Sequence, residues 1–237
     1  VVLRKPGKPN YADPKAYRPI ALSNTIGKAL EAVIATRISY MVEVYSLLPQ
    51  THVGGRRGRS CEHAIHLLLE QVHASWRTGA LASILLTLDV SGAFDNAAHE
   101  RLIHNPRRRK VPANAINWIA SFLRHRITDI LLMEGATGQF TTDTGIPQGS
   151  PLSPILYLFY NADLIDQIQE AYPGRALITG YIDDICILVW SRTAATNCRR
   201  LEQIHKIAEQ WEIQHASKFA PTKYSRIHLW RKVRGCS

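Results

Sequence analysis

Long apolar stretches are absent from this 237-residue chain. Its strongest runs, "SILLTL", "ILYLFY" and "ICILVW", fall far short of the roughly 20 residues that a bilayer-spanning helix needs. No amino-terminal signal pattern is present. Cysteine is scarce, and the four residues (Cys61, Cys186, Cys198, Cys236) lack any C-x-x-C spacing. That argues against a zinc site or a disulfide framework and suits reduced thiols in an intracellular compartment. The histidines show no metal-ligand spacing, no tract is biased enough to suggest disorder, and there is no internal repeat. No initiating Met precedes "VVLRKPGKP", so a fragment of a longer polypeptide is expected. Acids are outnumbered: 29 Lys and Arg face 19 Asp and Glu, a net charge of +10. This favours a polyanionic partner, most simply nucleic acid, although solubility alone makes many proteins basic.

What is there alternates between helix and strand. The first 22 residues mix Pro, Gly and Lys like a basic hairpin or loop. From Ser23, Ile26, Leu30, Val33, Ile34, Ile38 and Met41 fall at helical spacing. The Gly-rich basic loop "GGRRGRS" separates this helix from a second over Cys61 to Arg77. "SILLTLDV" reads as a central strand ending in a lone acid. A helix follows, which Pro106 and the run Arg107 to Lys110 are expected to break. A further helix covers "ANAINWIASFLRHR", and a β-hairpin follows with its turn at Glu134 to Gly138. "PQGSPLSPILYLFYNADLIDQIQEAY" is a loop feeding a helix, with Ser150 and Ser153 as cap candidates. Two strands around "YIDD", a helix over about Thr196 to Gln214 and a basic tail complete the chain. Few apolar strands among many helices predict an α+β sheet with helices packed on one face.

Three acids sit where acids are costly. Asp89 ends an apolar strand, and Asp183 and Asp184 interrupt "ITGYIDDICILVW". Neighbouring carboxylates in an apolar setting repel and are poorly solvated. Adjacent residues on a regular strand face opposite ways, but a hairpin turn can bring both towards one edge. No Arg or Lys nearby in sequence neutralises them, which points to a bound divalent metal such as Mg²⁺. Two such ions suit an in-line phosphoryl displacement. The plainer alternative is that Asp183 and Asp184 cap a turn, as Asp often does.

The motifs together decide between these. "LLTLDVSGAFDNAAHERL", with an aromatic five residues after its Asp, "GIPQGSPLSPILY", "GYIDDICIL" and "FAPTKYSRIHL" occur in that order. They resemble the four palm motifs of reverse transcriptases, most closely those of non-LTR, LINE-like retrotransposons of the fungal type. "KPGKPNYADPKAYRPIALSNTIGKALEAVI" and "GGRRGRSCEHA" resemble the fingers motifs that precede them. The resemblance covers nearly the whole chain. It implies a right-hand polymerase core: an α+β palm with an antiparallel sheet backed by helices, plus fingers. The expected divisions are fingers at 1–80, palm at 81–104 and 144–237, and a fingers-side insertion at 105–143. The chain stops soon after Trp230, so the thumb is expected to be absent, and an endonuclease domain would lie before this region.

The resemblance also implies roles. Asp89 and Asp183 would be the main ligands of two Mg²⁺ ions, with Mn²⁺ as a substitute. Asp184 would complete the triad and the Val90 carbonyl would add a ligand. Asp95 is read as a helix-cap or surface acid. Phe94 holds the sugar-discriminating position, where a ring leaves no room for a 2′-hydroxyl; plain core packing is the alternative. Gln148 and Gly149 would position nucleotide and template. Arg18 would grip the triphosphate, with Lys5 or Lys8 as helpers, and Lys223 would protonate pyrophosphate, unless these are solvated charges. The stretches "GGRRGR" and "RRRK" would track template phosphates, the latter alternatively serving nuclear import. Expected partners are an RNA template, a DNA primer and deoxynucleoside triphosphates, with no membrane, in the nucleus after cytoplasmic synthesis. The competing functions are a decayed fragment that at most binds nucleic acid, and an RNA-dependent RNA polymerase, which Phe94 and "IPQGSPLSP" disfavour.

Overall fold

The computed structural model describes residues 1–80, 82–132 and 135–231. A small antiparallel ribbon, β1 (Val2–Arg4) and β2 (Tyr17–Pro19), opens the chain. Two helices follow, α1 (Thr25–Val44) and α2 (Cys61–Arg77), and then strand β3 (Ala82–Asp89). Their starts are written in the sequence: Asn24 and Ser60 accept hydrogen bonds from the first free N–H groups of α1 and α2. Helices α3 (His99–Arg108) and α4 (Ala113–Leu123) lead to four two-residue strands. These are β4 (Ile127–Thr128), β5 (Leu131–Leu132), β6 (Gly135–Ala136) and β7 (Phe140–Thr141). Helix α5 (Ser153–Ala171), strands β8 (Ala176–Tyr181) and β9 (Asp184–Ser191), helix α6 (Ala194–His215) and strand β10 (Ser225–Trp230) complete the order.

The main sheet is four-stranded and antiparallel, in the order β10-β3-β9-β8. Strand alternation splits it into two faces. Ile84, Leu88, Ile185, Ile187, Val189 and Ile178 are buried with the helices behind it. Helix α5 is the centre of this layer: every residue from Ile155 to Ala162 is buried, as an all-round apolar helix requires. Helices α3 and α6 pack on α5, and α6 also meets β3 and β9. The α+β architecture, with helices behind an antiparallel sheet, is the one the sequence implies.

Three local expectations change. Pro106 lies inside α3, which continues to Arg108. A proline forfeits one backbone bond, and the burial of Leu102, Asn105 and Pro106 against α5 offsets it. The nested pairs β4–β7 and β5–β6 form the expected hairpin, but Gly135 and Ala136 lie in a strand rather than the turn; Glu134 is outside the described residues. The N-cap of α5 is Leu152, with the Ser150 hydroxyl accepting from its N–H at 3.1 Å, while Ser153 donates to the Pro147 carbonyl at 2.8 Å. On α1 only part of the apolar stripe is covered. Ile38 and Val42 are buried, whereas Ile26, Leu30 and Val33 are exposed.

Candidate active site

Strands β3 and β9 pair so that Asp89 lies directly opposite Asp184. Residues opposed in this way share a face, with Cβ atoms about 4.5–5.5 Å apart. Thr87 and Cys186 continue that face, while Leu88 and Ile185 between them turn to the core. Asp183 sits beside them in the two-residue β8–β9 turn. Burial raises the Asp183 carboxyl above its usual range and Asp89 adds to this, while Lys223 and Arg18 pull it down. Asp184 is raised by burial and then by Asp183 and Asp89. Burial is the larger cause at both positions, and the neighbouring carboxylates add to it.

One compensating charge comes from far along the chain. The Lys223 ammonium donates to Asp89 Oδ2 at 2.6 Å. A short 3-10 turn, Pro221–Lys223, aims it there, anchored by the Ala220 N–H on the Asp89 carbonyl at 2.8 Å. The expectation that no base lies near the acids holds only along the sequence. Val90 bridges Phe219, but the bonds run through its neighbours, Ala220 to Asp89 and Ser91 to Lys218. The Val90 carbonyl is thus left without a hydrogen bond among the described residues.

These groups suit a hard divalent cation: carboxylate and carbonyl oxygens are its preferred donors, and Lys223 is a cation already seated on one of them. Among the described residues, no three His, Cys, Asp or Glu side chains are gathered at metal-ligand spacing; the ammonium, not a third acid, closes on Asp89.

The other candidate residues surround this face unequally. Phe94 is half-buried and stacks on Tyr157, with centroids 5.2 Å apart and planes 12° from parallel. The Tyr157 hydroxyl is buried without a hydrogen-bond partner among the described residues, and burial, then Tyr160, Asp183 and Asp89, push its pKa well up. The Gln148 amide donates to Asp95 at 2.8 Å. Asp95 is therefore an exposed turn residue holding Gln148; the cap of α3 is Ala98. Gly149 has φ +109°, and a Cβ there would stand 3.1 Å from the Ala21 carbonyl, a close approach that suits glycine. Arg18 is exposed on β2 and faces the acids closely enough to act on Asp183. Lys5 is turned back on its own ribbon, donating to the Lys15 carbonyl at 2.9 Å. A groove of about 640 Å³ runs from this ribbon past Gln148 to the short hairpins, lined by Ile20, Asp95, Arg126, Phe140 and Gln148 among others.

The basic stretches divide. Arg56 is buried and binds Glu43 with two bonds of 2.7 Å, and Arg59 is held by Gln50. Arg109 spans Asp163 and Asp166. These three hold the fold together, which leaves Arg57, Arg107, Arg108 and Lys110 exposed. Two further residues escaped the sequence reading. Glu31, buried on α1, accepts from the Ser150 hydroxyl, and Asn161 on α5 donates to the Ile182 carbonyl at 2.7 Å. A single Glu or Asn within an apolar helical run was their only signal.

Residues 3–234 match the family described as reverse transcriptase (RNA-dependent DNA polymerase). Among relatives, the chain is 30% identical over 191 residues to a probable RNA-directed DNA polymerase from transposon X-element of Drosophila melanogaster. That match covers 81% of this chain and 21% of the relative. It is 26% identical to the RNA-directed DNA polymerase from mobile element jockey of Drosophila funebris, over 100% of this chain and 26% of the relative. These are non-LTR elements from flies, and the chain spans only a fifth to a quarter of their length. Its fold matches telomerase from Candida tropicalis, with a TM-score of 0.64 at 11% identity over 86% of this chain and 34% of that one. The truncated apo form of that telomerase gives the same TM-score at 12% identity, over 91% and 42%. The α+β core described above is thus that of a right-hand polymerase, and the chain belongs to the reverse transcriptase (RNA-dependent DNA polymerase) family.

Proposed function

We propose that this chain is the polymerase core of a non-LTR retrotransposon reverse transcriptase, extending a DNA primer on an RNA template. The observation that carries it is the in-register pairing of Asp89 with Asp184 beside Asp183, on a basic protein of this family. Residues 1–80 act as fingers and 81–104 with 144–237 as palm, with 105–143 as an insertion on the fingers side.

In the reaction the primer 3′-oxygen forms a bond to the α-phosphorus, and the bond from that phosphorus to the β-phosphate bridging oxygen breaks. Asp89, Asp183 and Asp184, with the Val90 carbonyl, would hold two Mg²⁺ ions. When bound, such ions ease deprotonation of the attacking hydroxyl and balance charge on the departing pyrophosphate. Asp89 would give up Lys223 as they bind, freeing that ammonium to hand a proton to pyrophosphate. Arg18 offers a guanidinium fork to the triphosphate. Phe94, backed by Tyr157 so that it has nowhere to retreat, closes the space a 2′-hydroxyl would need. Gln148, steadied by Asp95, and Gly149 present the loop to nucleotide and template.

Primer extension on an RNA template with Mg²⁺ tests this, comparing the chain with Asp183→Ala and Phe94→Ala. Loss of extension in the first and increased ribonucleotide incorporation in the second are expected. Equal extension by wild type and Asp183→Ala, or none by either, would overturn the proposal.

A further inference from the structure

The turn that presents Asp183 is not self-supporting. Ile182, its first residue, has φ +58°, a left-handed conformation that is strained for a β-branched side chain. Glycine is the usual occupant of that place in a two-residue hairpin loop. Something outside the hairpin has to hold it.

The holding groups lie on both sides. From α5, the Asn161 amide donates to the Ile182 carbonyl at 2.7 Å. The loop between α1 and α2 supplies three backbone bonds to Gly180. The Val53 and Gly54 N–H groups donate to its carbonyl at 2.8 and 3.2 Å, and its own N–H donates to the Thr51 carbonyl at 3.1 Å. The loop and turn touch with no room to spare. A Cβ on Gly54 would stand 2.5 Å from the Ile182 nitrogen and 2.6 Å from the Tyr181 Cα. A Cβ on Gly180 would stand 2.5 Å from the His52 ring. The loop is itself braced: Arg56 donates to the carbonyls of Pro49 and His52 at 2.9 and 3.1 Å while its other donors bind Glu43 on α1.

We propose that the Thr51–Gly54 segment and Asn161 are positioning elements for the reaction, keeping Ile182 left-handed so that Asp183 faces Asp89. The bare Gly54 backbone and the Asn161 amide are the two parts that act directly on the turn. This rests on the polymerase reading of the three acids. It gives the basic loop before α2 a purpose other than phosphate binding: its glycine and buried arginine set catalytic geometry.

The test uses Mn²⁺ as probe, titrated by electron paramagnetic resonance, together with steady-state primer extension. Wild type and Asp183→Ala come first. If Mn²⁺ binding does not depend on Asp183, the polymerase reading fails and this inference falls with it. If it does, Gly54→Ala and Asn161→Leu are each expected to weaken Mn²⁺ binding about tenfold. They are also expected to lower kcat about tenfold or more, since small misplacement of reacting groups is costly, with KM for the nucleotide held within about twofold. Adding Ile182→Gly to Asn161→Leu is expected to restore most of both, because glycine adopts the turn conformation unaided. A folded Asn161→Leu protein with wild-type Mn²⁺ affinity and kcat would overturn the inference, as would a failure of Ile182→Gly to suppress the defect. Should Gly54→Ala not fold, Asn161→Leu and its suppressor decide alone.

Discussion

Lowering the pH should unfold this protein in part through one histidine. His52 is fully buried, and among the described residues neither ring nitrogen has a partner in good hydrogen-bond geometry, the Ile182 backbone being the nearest to one. Burial pushes its pKa down to about 3 from an ordinary 6.5, against an upward pull from the Ile182 backbone and with help from the charge of Arg56. The unfolded chain therefore binds this proton between those values and the folded one does not, so stability is complete above pH 6.5 and falls as pH drops. Linkage gives a loss of about 1.4 kcal/mol by pH 5.5 and about 2.7 kcal/mol by pH 4.5. The raised carboxyls of Asp183 and Asp184 act oppositely, since the fold favours their protonation. His215, pushed down to about 4 by burial, acts in the same direction as His52. Both contributions are common to wild type and a His52→Leu variant, so the difference between the two isolates His52. Urea denaturation at pH 7.5, 5.5 and 4.5 measures it. The variant loses packing at every pH, but its stability should decline less by about 2.7 kcal/mol at pH 4.5. Parallel decline of the two proteins would refute the reasoning.

Arg56→Ala removes the bonds to Glu43 and to two loop carbonyls and should cost about 2–4 kcal/mol in urea denaturation. The exposed Arg57→Ala should change stability by less than about 0.5 kcal/mol yet weaken retention of RNA at low salt. Lys223→Met breaks a pair that is more than half exposed on the lysine side. It should cost less than about 1 kcal/mol without metal. Added Mg²⁺ should raise the thermal midpoint of this variant at least as much as that of wild type, because the ammonium no longer competes for Asp89.

The acids were legible because burial makes them expensive: an Asp closing "SILLTLD" or splitting "YIDDICIL" needs a reason. Gly149 was named only through the resemblance of its motif, and its left-handed backbone became visible in the fold. Charge without a visible partner was not legible. Arg56 looked like a phosphate ligand because Glu43 lies 13 residues earlier, and Arg109 did so because Asp163 and Asp166 lie 54 and 57 residues later. Lys223 meets Asp89 across 134 residues. Pairings of that range are products of the assembled sheet and helices. The same limit explains Pro106, where a correct local rule lost to the packing of α3 on α5.

Strand pairing has one further consequence. The contact that sets Asp89 against Asp184 is the same register that sends Leu88 and Ile185 inward. A slip of one residue would put the carboxylates into the oil and the leucine into water at once. Chemistry and solubility are thus two readings of one pleat, and neither can drift without the other. A lineage that has stopped polymerising would still have to keep this alternation to stay folded. Its acids, freed from chemical duty, would be the first positions at liberty to change.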